Sequence, residues 1–318
     1  MPRPQAPEVN GGDQVSGGPT ISLTCLSLLG TAVQDNGMLE HAFAEACATQ
    51  GIVPGTTDYA HYMVAAHRRI GEPAVDVFRG LFHGNPGRAE AAALSFDRSF
   101  RAAIDRHGVL PVPGAQGVIE GLRDAGIRVC MITGLSRRLL GNLLDTLGWW
   151  RLVDLALSPE DVPRGYPWPD LVLAAMLRLG VEDVREAAYA GGTTSGIRCG
   201  KRAGAGIVAG VLTGGHTRDR LREAGATHFI TAITDFPALL ADAGTDLPVR
   251  SAKMPEADGR PEVGSRPEAG GRPEAGDRPG AGAAAREAAG GVAERAVPGP
   301  GSLVPPQASA SQIARQVP

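Results

Sequence analysis

Acidic side chains are missing from the place where this sequence most invites one. Residues 21–34, ISLTCLSLLGTAVQ, contain no Asp and no Glu. The run reads as a buried strand leading into a Gly-Thr turn, and in a parallel sheet that is where a functional side chain stands. Other scarcities narrow the field. The four cysteines, Cys25, Cys47, Cys130 and Cys199, form no CxxC pair. This excludes a disulfide framework and a zinc site built on paired thiolates, and it fits a reduced, cytoplasmic setting. No apolar run approaches the roughly 18 residues of a membrane span. Residues 1–19 have no apolar segment of the kind that marks a secretory signal, so none is expected. With 31 basic against 34 acidic residues the formal charge is only -3. No basic stripe appears, so nucleic acid is not an expected partner.

What is present divides into three zones. Residues 1–19 are polar and rich in Gly and Pro, and are predicted to be disordered. Residues 20–242 carry nearly all the periodic structure. Residues 243–318 are predicted to be a disordered low-complexity tail, in which PEADGR, PEVGSR, PEAGGR and PEAGDR follow one another through residues 255–278. These units have almost no apolar side chains to bury, so a stacked repeat is not expected. A flexible polyampholyte is the direct reading, and a tail that docks a protein partner is its functional alternative.

Within the middle zone, residues 38–107 place apolar residues at helical spacing throughout and contain no convincing strand. Beyond residue 108, helices alternate with short β-rich runs: IRVCMIT, LVDLALS, EAAYAGG, GIVAGVL and THFITAI. Together with residues 21–27 these predict a parallel sheet covered on both faces, interrupted after its first strand by a helical insertion. The expected domains are a core of residues 20–37 and 108–242 and a helical block of residues 38–107. Ligands of such sheets bind beyond the carboxyl ends of the strands. Four strand ends therefore define the candidate site: residues 27–31, Thr133-Gly134, the loop of residues 164–170, and residues 191–196.

This arrangement resembles the haloacid dehalogenase (HAD) superfamily, and within it the phosphonatase-like, phosphoglycolate phosphatase-like branch. The resemblance rests on the GTAVQDNGMLEHAF stretch from Gly30, ITGLSR from Ile132, YPWPDLVLAAMLRLGV, and GTTSGIRCGKRAGAGIVAGVLTGGHT from Gly192. It implies a three-layer Rossmann-like α/β core with an all-helical, C1-type cap. It also implies a phosphatase or phosphonatase chemistry that needs an aspartate nucleophile, a nearby acid/base group, a hydroxyl and a base to hold the phosphoryl group, and carboxylates for Mg²⁺.

Carried over position by position, most of that chemistry is absent. The nucleophile position is Ser27 and the acid/base position is Leu29. The basic position is Tyr166, with Arg164 two residues upstream. The metal positions are Gly192 and Gly196, and the cap lysine of phosphonatases aligns with Ala74. Thr133 survives. A hard divalent cation prefers several oxygen ligands, carboxylates foremost, so no cofactor is expected here although active relatives take Mg²⁺. The expectation is a catalytically degenerate HAD-like protein that binds a ligand or a partner. Its residues for a small anionic ligand would be Gly30, Thr31, Thr133, Gly134, Arg164, Thr193 and Thr194. The alternative is a weak, metal-independent hydrolase of a small phosphorylated or phosphonate metabolite that uses Thr133, Arg164 and helix N-termini. Tyr166 and Trp168 read as loop packing or as an aromatic wall. Asp35 and Asp170 read as turn or cap formers, and His61, His67 and His83 as surface histidines.

Overall fold

The computed structural model describes residues 20–245. The predicted disordered terminus and the PEAGxR-type tail lie outside the described residues. Six strands, β1 (Leu23–Ser27), β2 (Arg128–Ile132), β3 (Leu155–Leu157), β4 (Ala187–Gly191), β5 (Ile207–Val211) and β6 (His228–Ile230), form one sheet in the order β3-β2-β1-β4-β5-β6. Every neighbouring pair is parallel. All six are the predicted apolar runs, shortened at the ends. Parallel strands buried on both faces are continuously apolar, and β1, β4 and β5 are buried at every position.

Alternation along β1 assigns its residues to two cores. Leu23 and Cys25 pack with Cys130, Tyr189 and Val208 against α7 (Asp170–Leu179), α8 (Thr194–Ala203) and α9 (Arg218–Ala224). Leu26 packs with Val129, Met131, Ala190 and Ala209 against α5 (Ala115–Asp124), α6 (Arg137–Leu147) and α10 (Phe236–Asp242). The result is the three-layer α/β architecture that the sequence predicts. Helix α6 illustrates the local logic. Ser136 caps its first turn by accepting from Leu139 N at 3.4 Å. Leu139, Leu140, Leu143 and Leu144 form its buried stripe, and Gly148 ends it in the left-handed region at φ 67°.

Between β1 and β2 the chain forms α1 (Met38–Ala48), α2 (Thr57–Arg68), α3 (Ala74–Leu81) and α4 (Pro86–His107). These helices share an aromatic cluster in which Phe43 meets Phe78 and Phe96 with ring centroids 5.1 and 5.0 Å apart. Among the described residues no helix is long and apolar enough to cross a membrane. Cys25, Cys47, Cys130 and Cys199 are free and buried, as small core side chains are.

Candidate functional site

Register carries the candidate residues to one end of the sheet. Ser27 pairs with Ile132 across β1 and β2, and Leu26 pairs with Ala190 across β1 and β4. The turns after three adjacent strands therefore converge. They open on a cavity of about 570 Å³ between the strand ends and the helical block. Ser27, Leu29, Gly30, Thr133, Gly134, Tyr166 and Thr193 line it from the sheet side, and Leu39, Phe43, Ile70, Glu72 and Phe96 line it from the helical side.

Three candidate ligand-binding residues are not on this cavity. The Thr31 side chain is fully buried in the first turn, and its hydroxyl has no partner among the described residues. The Thr194 N–H donates to His216 Nδ1 at 3.0 Å. Arg164 turns outward: its guanidinium donates to both Asp170 carboxylate oxygens at 3.2 and 2.9 Å and lies 4.5 Å over the Trp168 ring. A charge held by a carboxylate and an aromatic face beside solvent has little reason to swing inward. Trp168, half exposed, stacks between Arg164 and Arg202, whereas Tyr166 is buried in the core. The two aromatics of one loop thus separate into a surface platform and an interior wall.

Thr133 Oγ1 accepts from Leu135 N at 3.1 Å, which shapes the turn. Helix α8 opens at the strand end that carries the family's metal positions, and the N–H groups of Thr194 and Gly196 in its first turn have partners within the protein. Thr193 Oγ1 accepts from Gly196 N at 3.2 Å, and Thr194 N is held by His216. A helix N-terminus attracts anions through its free N–H groups, and here those of Thr194 and Gly196 are already engaged.

The helical block reaches this same corner. Ser195 Oγ donates to Ile70 O at 2.8 Å, and His216 Nε2 lies 3.1 Å from His67 O. Because His216 Nδ1 accepts from Thr194, the ring proton sits on Nε2 and donates to His67. Burial is the main cause lowering the His216 pKa, against the hydrogen bond to the His67 backbone, and the Arg220 charge adds to the lowering. Gly134 is close against the backbone of Gly71, where a Cβ would collide with the Gly71 carbonyl. His67 is exposed, as expected, and its ring meets the His216 ring at 5.8 Å between centroids.

Sequence reasoning missed Tyr189. It is fully buried in β4, opposite Cys25, and its ring runs along α8. A Cβ on Gly200 would lie 2.8 Å from Tyr189 Cβ, and one on Gly196 or Gly191 would overlap the Tyr189 hydroxyl. The signal was available: Gly196 and Gly200 are one helical turn apart, and their missing side chains leave a slot along α8 that a ring fills. The hydroxyls of Tyr166 and Tyr189 have no hydrogen-bond partner among the described residues. Burial first, then the neighbouring Tyr189 phenol, pushes the Tyr166 pKa far up, and burial does the same for Tyr189. Both are neutral phenols.

The Mg²⁺ site of active relatives does not fit these residues. Ser27 offers a neutral hydroxyl, and Gly192 and Gly196 offer no side chain. A Cβ at Gly192 would already lie 2.9 Å from Gly214 N and Val211 O. Among the described residues no three His, Cys, Asp or Glu side chains converge so as to hold a metal ion. The volume that family carboxylates would need is filled by a phenol on one side and by backbone on the other.

Two acidic residues remain on the cavity, Asp35 and Glu72. Asp35 Oδ1 accepts from Leu39 N at 3.1 Å, the turn role expected for it. Burial raises its pKa, against hydrogen bonds from Leu39 and Gly37. Glu72 is ion-paired with Arg69 at 2.7 Å.

Comparison with known proteins agrees with this architecture. The model for haloacid dehalogenase-like hydrolases matches residues 28–204. The phosphonoacetaldehyde hydrolase of Pseudomonas fluorescens SBW25 is 30% identical over 57% of this chain and 74% of its own. That of Bordetella pertussis is 30% identical over 43% of this chain, which spans 58% of that relative's length. A phosphonoacetaldehyde hydrolase-like protein from Oleispira antarctica superposes with a TM-score of 0.61 at 20% identity, covering 76% of this chain and 100% of that one. A putative phosphoglycolate phosphatase from Lactobacillus plantarum superposes with a TM-score of 0.58 at 16% identity, covering 70% of this chain and all of that one. The chain belongs to the haloacid dehalogenase-like hydrolase family, in its phosphonatase-like branch.

Proposed function

We propose that this member of the family has lost Mg²⁺-dependent phosphoryl transfer and acts by binding a small ligand in the cavity between its core and its helical block, which serves as a cap. One observation carries the reading. The positions that should supply nucleophile and metal ligands, Ser27, Gly192 and Gly196, hold no carboxylate, and the space beside the two glycines is taken by the Tyr189 hydroxyl and the Gly214 backbone. A serine hydroxyl needs a positioned base to attack, and no histidine lines the cavity. The metal-independent hydrolase alternative depends on Arg164 to stabilise charge, and the outward pairing of that residue with Asp170 counts against it. Four free cysteines support a reducing, cytoplasmic setting.

The test is phosphate release with Mg²⁺ over a panel that includes phosphonoacetaldehyde and phosphoglycolate, the substrates in the names of relatives. No turnover is expected. A rate above roughly 1 s⁻¹, inside the ordinary enzyme range, would sink the reading.

A further inference from the structure

We infer that the cavity is built for an organic cation with an apolar body, an alkyl- or arylammonium, and not for the phosphate-bearing anions that its fold usually serves. The inference deepens the ligand-binding reading above and rests on it.

Charge is the first argument. Asp35 and Glu72 are the charged side chains on the cavity, and no Lys, Arg or His lines it. Glu72 is neutralised within its own wall. Arg69 Nε donates to its carboxylate at 2.8 Å, and Arg69 Nη1 donates to Asp76 O and Val77 O, which fixes the guanidinium on the helical block. Asp35 has no basic partner among the described residues; its carboxylate accepts only backbone N–H groups at the start of α1. The lining therefore carries one carboxylate without a basic partner beside a low-polarity space, where electrostatic interactions are strong. A phosphate or carboxylate placed there meets like charge, with no cation, no metal site, and the α8 N–H groups of Thr194 and Gly196 already engaged.

Shape and polarity are the second argument. Leu39, Phe43, Ile70, Phe96, Val112 and Leu135 form the walls. Such walls take an aliphatic or aromatic body, and a few polar groups then fix its orientation. A volume of about 570 Å³ suits a small organic molecule rather than an inorganic ion. An ammonium group seated on Asp35 gains a charge-assisted hydrogen bond and cancels a half-buried charge.

The test is isothermal titration of the full chain with 2-phenylethylammonium, 2-phenylethanol, 3-phenylpropanoate and inorganic phosphate. The ammonium is expected to bind about tenfold more tightly than the alcohol, the size of one charged hydrogen bond. The two anions should bind more weakly than the alcohol. In Asp35→Asn the preference for the ammonium over the alcohol should disappear, since asparagine keeps the oxygen that Leu39 N requires but not the charge. The rank order of the four probes on the unaltered chain needs no variant and stands if Asp35→Asn fails to fold. Equal or tighter binding of either anion, no preference for the ammonium, a preference that survives Asp35→Asn, or no binding by any probe would overturn the inference. None of these outcomes bears on phosphate release, so failure here and failure of the lost-chemistry reading are separate results.

Discussion

Gly196→Ala should destabilise this protein, although the substitution adds helix propensity. Gly196 sits in the first turn of α8 without a positive φ, where alanine ordinarily gains up to about 1 kcal/mol over glycine. Here the new methyl would lie 2.9 Å from Tyr189 Cζ and overlap the hydroxyl. Tyr189 cannot retreat easily, because its ring is fully buried and its Cβ sits over Gly200. Overpacking a closed site costs roughly 1–3 kcal/mol, so the net loss should be about 0–2 kcal/mol. Tyr189→Phe removes the oxygen but leaves Cζ, so the penalty should shrink without vanishing. Residues in contact couple by about 0.5–3 kcal/mol, and a double-mutant cycle in urea should return a value in that range with unchanged m-values. If Gly196→Ala stabilises the parent chain, or costs the same with Phe at 189, the glycine is not there for the tyrosine and the filled-site argument fails. The consequence for chemistry is direct. Returning Asp to positions 27, 192 and 196 should not restore Mg²⁺ binding while Tyr189 remains, because a carboxylate at 196 must first displace a phenol.

Tyr166→Phe should be neutral or stabilising in denaturant titration, because it deletes a buried hydroxyl without a partner, a group that costs about 1–3 kcal/mol when left unsatisfied; a clear loss of stability would mean that the hydroxyl is bonded. Gly134→Ala should push the segment at Gly71 off the core and speed hydrogen exchange at residues 70–72, since its Cβ meets the Gly71 carbonyl; unchanged exchange would show that the segment is not seated there. His216 is neutral in the fold and its pKa is lowered, chiefly by burial, so its contribution to stability is fully present above the unfolded histidine value of about 6.5 and is lost as pH falls towards the lower folded value. Thermal unfolding followed from pH 8 to pH 5 should show that acid loss, and His216→Gln should flatten it; an unchanged pH profile in the variant would refute the assignment.

The fold was legible because its signal is local. Each of the six strands is a continuous apolar run, and the ends trimmed from those runs are flanks with other duties: Ser22 N donates to Glu186 O at 3.0 Å and Asp154 N to Val129 O at 2.9 Å, just outside the strands. The loss of carboxylates was equally legible, since an aspartate is either written at positions 27, 192 and 196 or it is not. What occupies their place was not legible, because it depends on where side chains far apart in sequence come to lie. Arg164 looks available until Asp170 and Trp168 are seen to hold it on the surface. His216 looks like one more loop histidine until it bridges Thr194 and His67. Asp35 and Glu72 become the charge of one cavity only when the helical block folds over β1.

Tyr189 changes what the two family-position glycines mean. Read as letters, Gly192 and Gly196 are deletions of chemistry. Read with the ring beside it, Gly196 is also a requirement, because any side chain there collides with Tyr189. A protein that had merely lost its metal ligands could regain them one substitution at a time. Here the first step back, a carboxylate at 196, lands in filled volume and has to be preceded by a change at 189. The same argument extends to charge. On the ligand-charge proposal, the Asp35 carboxylate, without a basic partner among the described residues, selects against the phosphate esters and phosphonates that the architecture otherwise suits.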